Sequence, residues 1–215
     1  MKKPMVITIG REFCTGGAEI AKMVAERLGF TYYDKQIIDH TADILNISVD
    51  AVESHNEKPV SYASMFGYQY GSGLYAGDPS LSLPIGMKVA NTQFDLVRRY
   101  GEEGNCVIVG RCADDILHGR ENLLTVFIRG DMEHRLARAE RLYGLDAKQA
   151  EKLIRKTDRV RAGYYANYTG KKWGGASSYM MLLDAGSIGT EGCVDAILAA
   201  AKAMQAQPEA KEEKK

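Results

Sequence analysis

The chain has 215 residues, 45% of them apolar, enough for one well-sized domain with a proper core. Lysine plus arginine and aspartate plus glutamate number 28 each, so the formal net charge is zero. That balance argues against a nucleic-acid polymer as a chain-wide partner, which would need a basic excess or stripe, and leaves room only for a local basic patch.

Residues 5–9 form a short apolar, β-rich run that enters glycine, the pattern of a buried first strand. The run is too short for a signal-peptide core, and no stretch of the chain reaches membrane-spanning length, so a cytoplasmic protein with no membrane partner is expected. Beyond Gly17, Ile20, Val24 and Leu28 recur every four residues among charges, which predicts an amphipathic helix stopped by Gly29. Residues 30–33 predict a second strand, and Asp34 is a candidate N-cap for the helix that follows.

Residues 54–87 differ in composition, being rich in glycine, tyrosine and serine with only three charges, Glu57, Lys58 and Asp78. Two readings stand for them: a functional arm inserted in the domain, or an ordered surface loop. Regular structure returns with a helix near 88–99, a strand at 106–109, a short helix near 114–117 and a strand at 124–128. A helical stripe follows at Met132, Leu136, Ala139 and Tyr143, then a helix over 147–164, a strand at 180–183 and a helix near 191–204. Five strands alternating with helices predict an α/β domain with a mostly parallel sheet over residues 1–204, followed by a frayed tail at 205–215.

Two strand ends carry the chemistry. Gly10-Arg-Glu-Phe-Cys-Thr-Gly16-Gly17 lies where the first strand turns into the first helix, where converging backbone amides favour an anion. The usual phosphate loop, G-x-x-x-x-G-K-[ST], is not matched: Gly17 and Ala18 stand where lysine and a hydroxyl residue are expected. Arg11 and Thr15 are the candidates to replace that charge and hydroxyl. Cys14 reads as a space-filler rather than a nucleophile. The other cysteines, Cys106, Cys112 and Cys193, form no CxxC pair with it or each other, so reduced thiols are expected. The strand at 106–109 ends in Gly110-Arg111, with Asp114 one turn on. Arg111 suits a bidentate grip on phosphate at a strand's carboxyl end, or else a surface ion pair with Asp114 or Asp115.

Residues 129–161 hold ten basic and six acidic side chains, with Arg155, Lys156, Arg159 and Arg161 crowded at the end. They form either a solvated, internally paired helix face or the start of a lid over 155–175, whose glycine- and aromatic-rich portion from Gly163 reads as a loop.

Four segments together resemble the cytidylate-kinase-like branch of the nucleoside monophosphate kinases. They are Ile7-Thr-Ile-Gly-Arg-Glu-Phe-Cys-Thr-Gly-Gly-Ala-Glu-Ile-Ala-Lys22, Tyr32-Tyr-Asp-Lys35, Val107-Ile-Val-Gly-Arg-Cys-Ala-Asp114 and the stretch from Lys156 through Trp173-Gly174. The resemblance implies a three-layer α/β/α P-loop kinase fold with a five-stranded parallel sheet, residues 54–87 as the acceptor arm and 155–175 as the lid. It implies ATP and magnesium as cofactors and transfer to a small nucleotide such as CMP. Donor phosphates would meet Gly10, Thr15, Gly16, Gly17 and Ala18, and the acceptor would meet Arg111 and Asp114. Arg11, Asp34, Arg155, Arg159 and Arg161 would serve catalysis, while the metal ligands and the oligomeric state stay open. The family's Gly-Arg-Asp motif is met only at Gly110-Arg111, since Cys112 replaces the aspartate. The missing lysine keeps two alternatives in view, a non-catalytic nucleotide-binding protein and a kinase for another small acceptor.

Overall fold

The computed structural model describes residues 4–59 and 83–206. Among these, β1 (Val6–Arg11), β2 (Thr31–Tyr33), β3 (Cys106–Val109), β4 (Leu123–Arg129) and β5 (Met181–Asp184) form one sheet in the order β2-β3-β1-β4-β5. Every neighbouring pair is parallel. The helices are α1 (Gly17–Leu28), α2 (Gln36–Leu45), α3 (Val49–His55), α4 (Ile85–Glu103), α5 (Ala113–Ile116), α6 (Met132–Tyr143), α7 (Ala147–Thr169) and α8 (Ala185–Ala206), the last kinked at Gly189.

Strand alternation divides the core into two layers. Ile7, Ile9, Val107, Val109, Leu124, Val126 and Ile128 pack against Ile20, Val24 and Ala25 of α1 and Val194, Ile197 and Ala201 of α8. The opposite faces of the strands, through Val6, Cys106, Ile108 and Leu123, meet Leu96, Val97 and Tyr100 of α4 and Ile37 of α2. A third cluster, Cys14, Ala139, Ala150 and Ile154, joins the loop after β1 to α6 and α7, so Cys14 does fill space. No described helix is long and apolar enough to cross a membrane.

Three local expectations are corrected. The loop expected from Gly163 is helix as far as Thr169, ending at left-handed Gly170. Tyr164 and Tyr168, four residues apart, share a face of α7 and pack on Phe94 of α4 and on each other, and that burial favours continued helix. Asp34 is not an N-cap, because the cap of α2 is Lys35 and the Asp34 carboxylate faces Tyr32 and Arg111 instead. The tail expected from 205 is still helical at 205–206, with 207–215 outside the described residues. Of the arm expected at 54–87, residues 60–82 lie outside the described residues; its described ends complete α3 and begin α4.

Candidate active site

β1 lies between β3 and β4, and the chain leaves β1 and β3 toward opposite sides of the sheet. Their carboxyl ends therefore open a crevice, the place where parallel α/β sheets take ligands. One wall is the loop after β1. Cys14 (φ 62°) and Gly16 (φ 84°) are left-handed, and α1 starts with no side-chain cap, an arrangement that favours an anion at the helix start. A Cβ on Gly17 would lie 2.5 Å from the Cβ of Arg11, so no side chain, lysine included, fits there. Thr15 is buried and its hydroxyl donates to the Glu12 carbonyl at 2.9 Å, which shapes the loop.

Two cations of α6 stand against the loop. The Cζ of Arg138 sits 3.3 Å from where a Cβ of Gly16 would be, and the same guanidinium pairs with Glu19 in the first turn of α1. Three residues earlier, buried Arg135 pairs with Asp158 of α7, reaches Glu12 at 3.4 Å and donates through Nε to the Phe13 carbonyl at 2.8 Å. Asp158 accepts from the Phe13 amide at 2.8 Å, and Glu12 accepts from the Gly130 amide at 3.0 Å. Burial pushes the Glu12 carboxyl up, against the Gly130 amide and Arg135. Two charged helices thus hold the loop from outside.

The other wall is the turn after β3, where Gly110 (φ 71°), Arg111 (φ 55°) and Cys112 (φ 55°) are left-handed in succession. Glycine at position 110 takes the positive φ without strain and leaves room for the Glu57 and Arg11 side-chain ends, which a Cβ would meet at 2.2 and 2.3 Å. Arg111 is 2% exposed, not at the surface, and pairs with neither Asp114 nor Asp115. Its Nη1 donates to the Val109 carbonyl at 3.0 Å and reaches Asp34 Oδ1 at 3.5 Å.

Glu57, just past α3, gathers the charges. Its Oε1 accepts from Arg11 Nη1 at 2.7 Å and from the Arg111 amide at 3.4 Å, and its Oε2 accepts from Arg161 Nε at 3.2 Å. Burial opposes ionisation of Glu57, yet Arg11, Arg161 and Arg111 together hold its carboxyl well below the usual range. Burial and the neighbouring Arg11 charge pull Arg161 down, with Glu57 and Asp158 opposing. Tyr164, Tyr165, Trp173 and Tyr179 complete the lining with Asp114. Burial lifts the Asp114 carboxyl to about 6, although the Tyr165 hydroxyl donates to it at 2.6 Å.

Of the residues singled out in the sequence, Gly10, Arg11, Arg111, Asp114 and Arg161 line this crevice together. Asp34 borders it through Arg111, and Thr15, Gly16, Gly17 and Ala18 form the adjoining loop. Arg155 and Arg159 are exposed outside the lining, and Arg155 pairs with Glu151 one turn back. Glu57, Arg135, Arg138 and Asp158 are the charges that sequence reasoning passed over. A signal existed for one pair only: Arg135 and Arg138, three apart, share a helix face beside the predicted loop.

The sheet order and the glycine loop between β1 and α1 define the P-loop kinase fold. The cytidylate kinase-like family profile matches residues 6–187, and the chain belongs to that family. Among solved structures, an uncharacterized protein from Eubacterium ventriosum ATCC 27560 superposes with a TM-score of 0.68 at 26% identity, covering 92% of this chain and 98% of its own. Shikimate kinase from Bacteroides thetaiotaomicron superposes at 0.52 with 13% identity, covering 92% and 98%. Shikimate kinase from Acinetobacter baumannii in complex with shikimate does so at 0.52 with 11% identity, covering 96% and 97%; both share the fold. No curated protein matches the sequence.

Proposed function

We propose that the protein transfers the γ-phosphoryl group of ATP to a nucleoside monophosphate of the CMP type. The observation that carries this reading is the convergence of Arg11, Arg111 and Arg161 in a crevice beside a glycine loop with an uncapped helix start. The loop's backbone fits a nucleotide's phosphates, with the amides of residues 15–18 as donors and Arg138 beside Gly16 as a cation. No group of three or more His, Cys, Asp or Glu residues able to hold a metal occurs among the described residues. That fits magnesium, which is commonly held by phosphate oxygens, waters and one or two carboxylates; Asp34 would be the carboxylate here. When bound, the ion neutralises charge on the transferring phosphoryl group.

This chain's own residues supply position and charge. Arg111, buried and held by the Val109 carbonyl, grips the acceptor phosphate together with Arg161, and the aromatic side chains wall off water. The acceptor's phosphate oxygen is already an anion, so no side-chain base is required. Arg161 contributes without moving, whereas Arg155 and Arg159 take part only if α7 turns toward the crevice as a lid. Incubating the protein with ATP, magnesium and a panel of nucleoside monophosphates tests the reading. ADP release with CMP ahead of the other bases is expected, and release no greater than without acceptor would sink it. Extending the panel to small hydroxy acids separates a kinase for another acceptor.

A second reading, nucleotide binding without turnover, is favoured by one feature, the exclusion of any side chain at Gly17. Calorimetry showing tight ATP binding, with no turnover on any acceptor, would select it.

A further inference from the structure

Three guanidiniums, Arg11, Arg111 and Arg161, meet two carboxylates, Glu57 inside the crevice and Asp34 at its border, while Asp114, the other lining carboxylate, is engaged by Tyr165 instead. Glu57 engages all three arginines, two through side chains and Arg111 through its amide. A phosphate dianion added to this set leaves four negative charges against three positive. The same dianion with Glu57 withdrawn leaves three against three.

We propose that Glu57 is a resident stand-in for the acceptor's anionic group, and that a phosphate dianion binds by exchange with its carboxylate. The proposal rests on reading this cluster as the acceptor's anion site. Three further observations support it. Glu57 holds a left-handed backbone (φ 49°), a conformation that costs energy for a residue with a side chain. It also lies in the turn after α3, where Asn56 is anchored by Gln93 of α4 at 3.2 Å, so residue 57 can swing without unfolding the helix. Finally, the buried Arg111 Nε and Tyr164 hydroxyl lack a hydrogen-bond partner among the described residues, leaving donor capacity at the site that Glu57 does not use.

Calorimetric titration with inorganic phosphate, in the absence of nucleotide, reads the exchange. Glu57→Gln keeps the side chain's volume and removes the competing charge, so phosphate should bind this variant about tenfold more tightly than wild type. Weaker or unchanged binding overturns the proposal and makes Glu57 a strut that positions the arginines. The gain should vanish when Arg161→Gln is added; a gain that survives belongs to the glycine loop and also overturns it. If Glu57→Gln does not fold, amide exchange on the wild-type protein carries the test. Saturating phosphate should speed exchange across residues 53–58, and protection or no change there refutes the swap. None of these measurements depends on turnover, so a positive exchange without ADP release would count against the nucleotide kinase reading alone.

Discussion

On the proposed reading, the two walls of the crevice hold an anion by different means. The loop after β1 presents backbone: its donors are amides at a helix start, and its charged neighbours Arg135, Asp158 and Glu12 act from behind to fix its shape. The side toward β3 presents side chains: Arg11 and Arg161 pair with the Glu57 carboxylate, and the buried Arg111 guanidinium beside them is held by the Val109 carbonyl and Asp34. A backbone site tolerates loss of a neighbouring charge, because its dipoles stay in place. A side-chain site depends on each cation and is open to competition from within.

Substitutions can break that contrast. The largest effect is expected from Arg111→Gln, which removes a buried guanidinium from the side-chain wall. Catalytic efficiency toward the monophosphate should fall about 100-fold or more, measured as ADP release, with ATP affinity little changed. Equal loss of ATP affinity would show that the walls are not separate. Gly17→Lys comes next. Restoring the usual lysine should not improve turnover, and overpacking against Arg11 should cost about 1–3 kcal/mol of stability, read from denaturant unfolding. A faster enzyme would mean that the loop yields.

Asp114→Asn tests the acidic edge of the acceptor wall. Its carboxyl rises from an ordinary 3.8 to about 6 in the folded chain. The folded state therefore binds that proton more tightly than the unfolded state, and the group's cost to stability is absent below about pH 4, grows as pH rises and is complete above about pH 6. The variant should gain up to about 1–3 kcal/mol over wild type at pH 7 and nothing near pH 3.5, by unfolding at both pH values. The smallest effect is expected on the backbone wall. Arg138→Gln should weaken ATP binding about tenfold while leaving the acceptor's KM unchanged.

Much of the fold was legible in the sequence because strand patterns and glycine stops are local. The third strand, 106–109, matches its expected bounds, and α1 ends at Gly29 where expected. Gly163 misled because glycine weighs against helix locally, whereas the pull toward helix at Tyr164 and Tyr168 comes from Phe94, some seventy residues away in the chain. The site was half legible. Gly10, Arg11, Gly110 and Arg111 announce themselves by lying at strand ends, but Glu57 has the look of a loop charge until the fold brings it between β1, β3 and α7. Arg155, Arg159 and Arg161 are equivalent as charges in a run. Helix phase sends only Arg161 to the crevice and leaves the other two in solvent.

The four cysteines are all free and all buried, in the loop after β1, on β3, in the turn after it and on α8. Burial raises each thiol above its ordinary range, so little thiolate is present at neutral pH and none is offered to solvent. Each sulfur is therefore a silent clock for its own neighbourhood, reacting with an alkylating probe only when that part of the chain opens. Cys112 shares its turn with Arg111, so its labelling rate times the breathing of the acceptor wall, while Cys193 on α8 times the sheet's far layer.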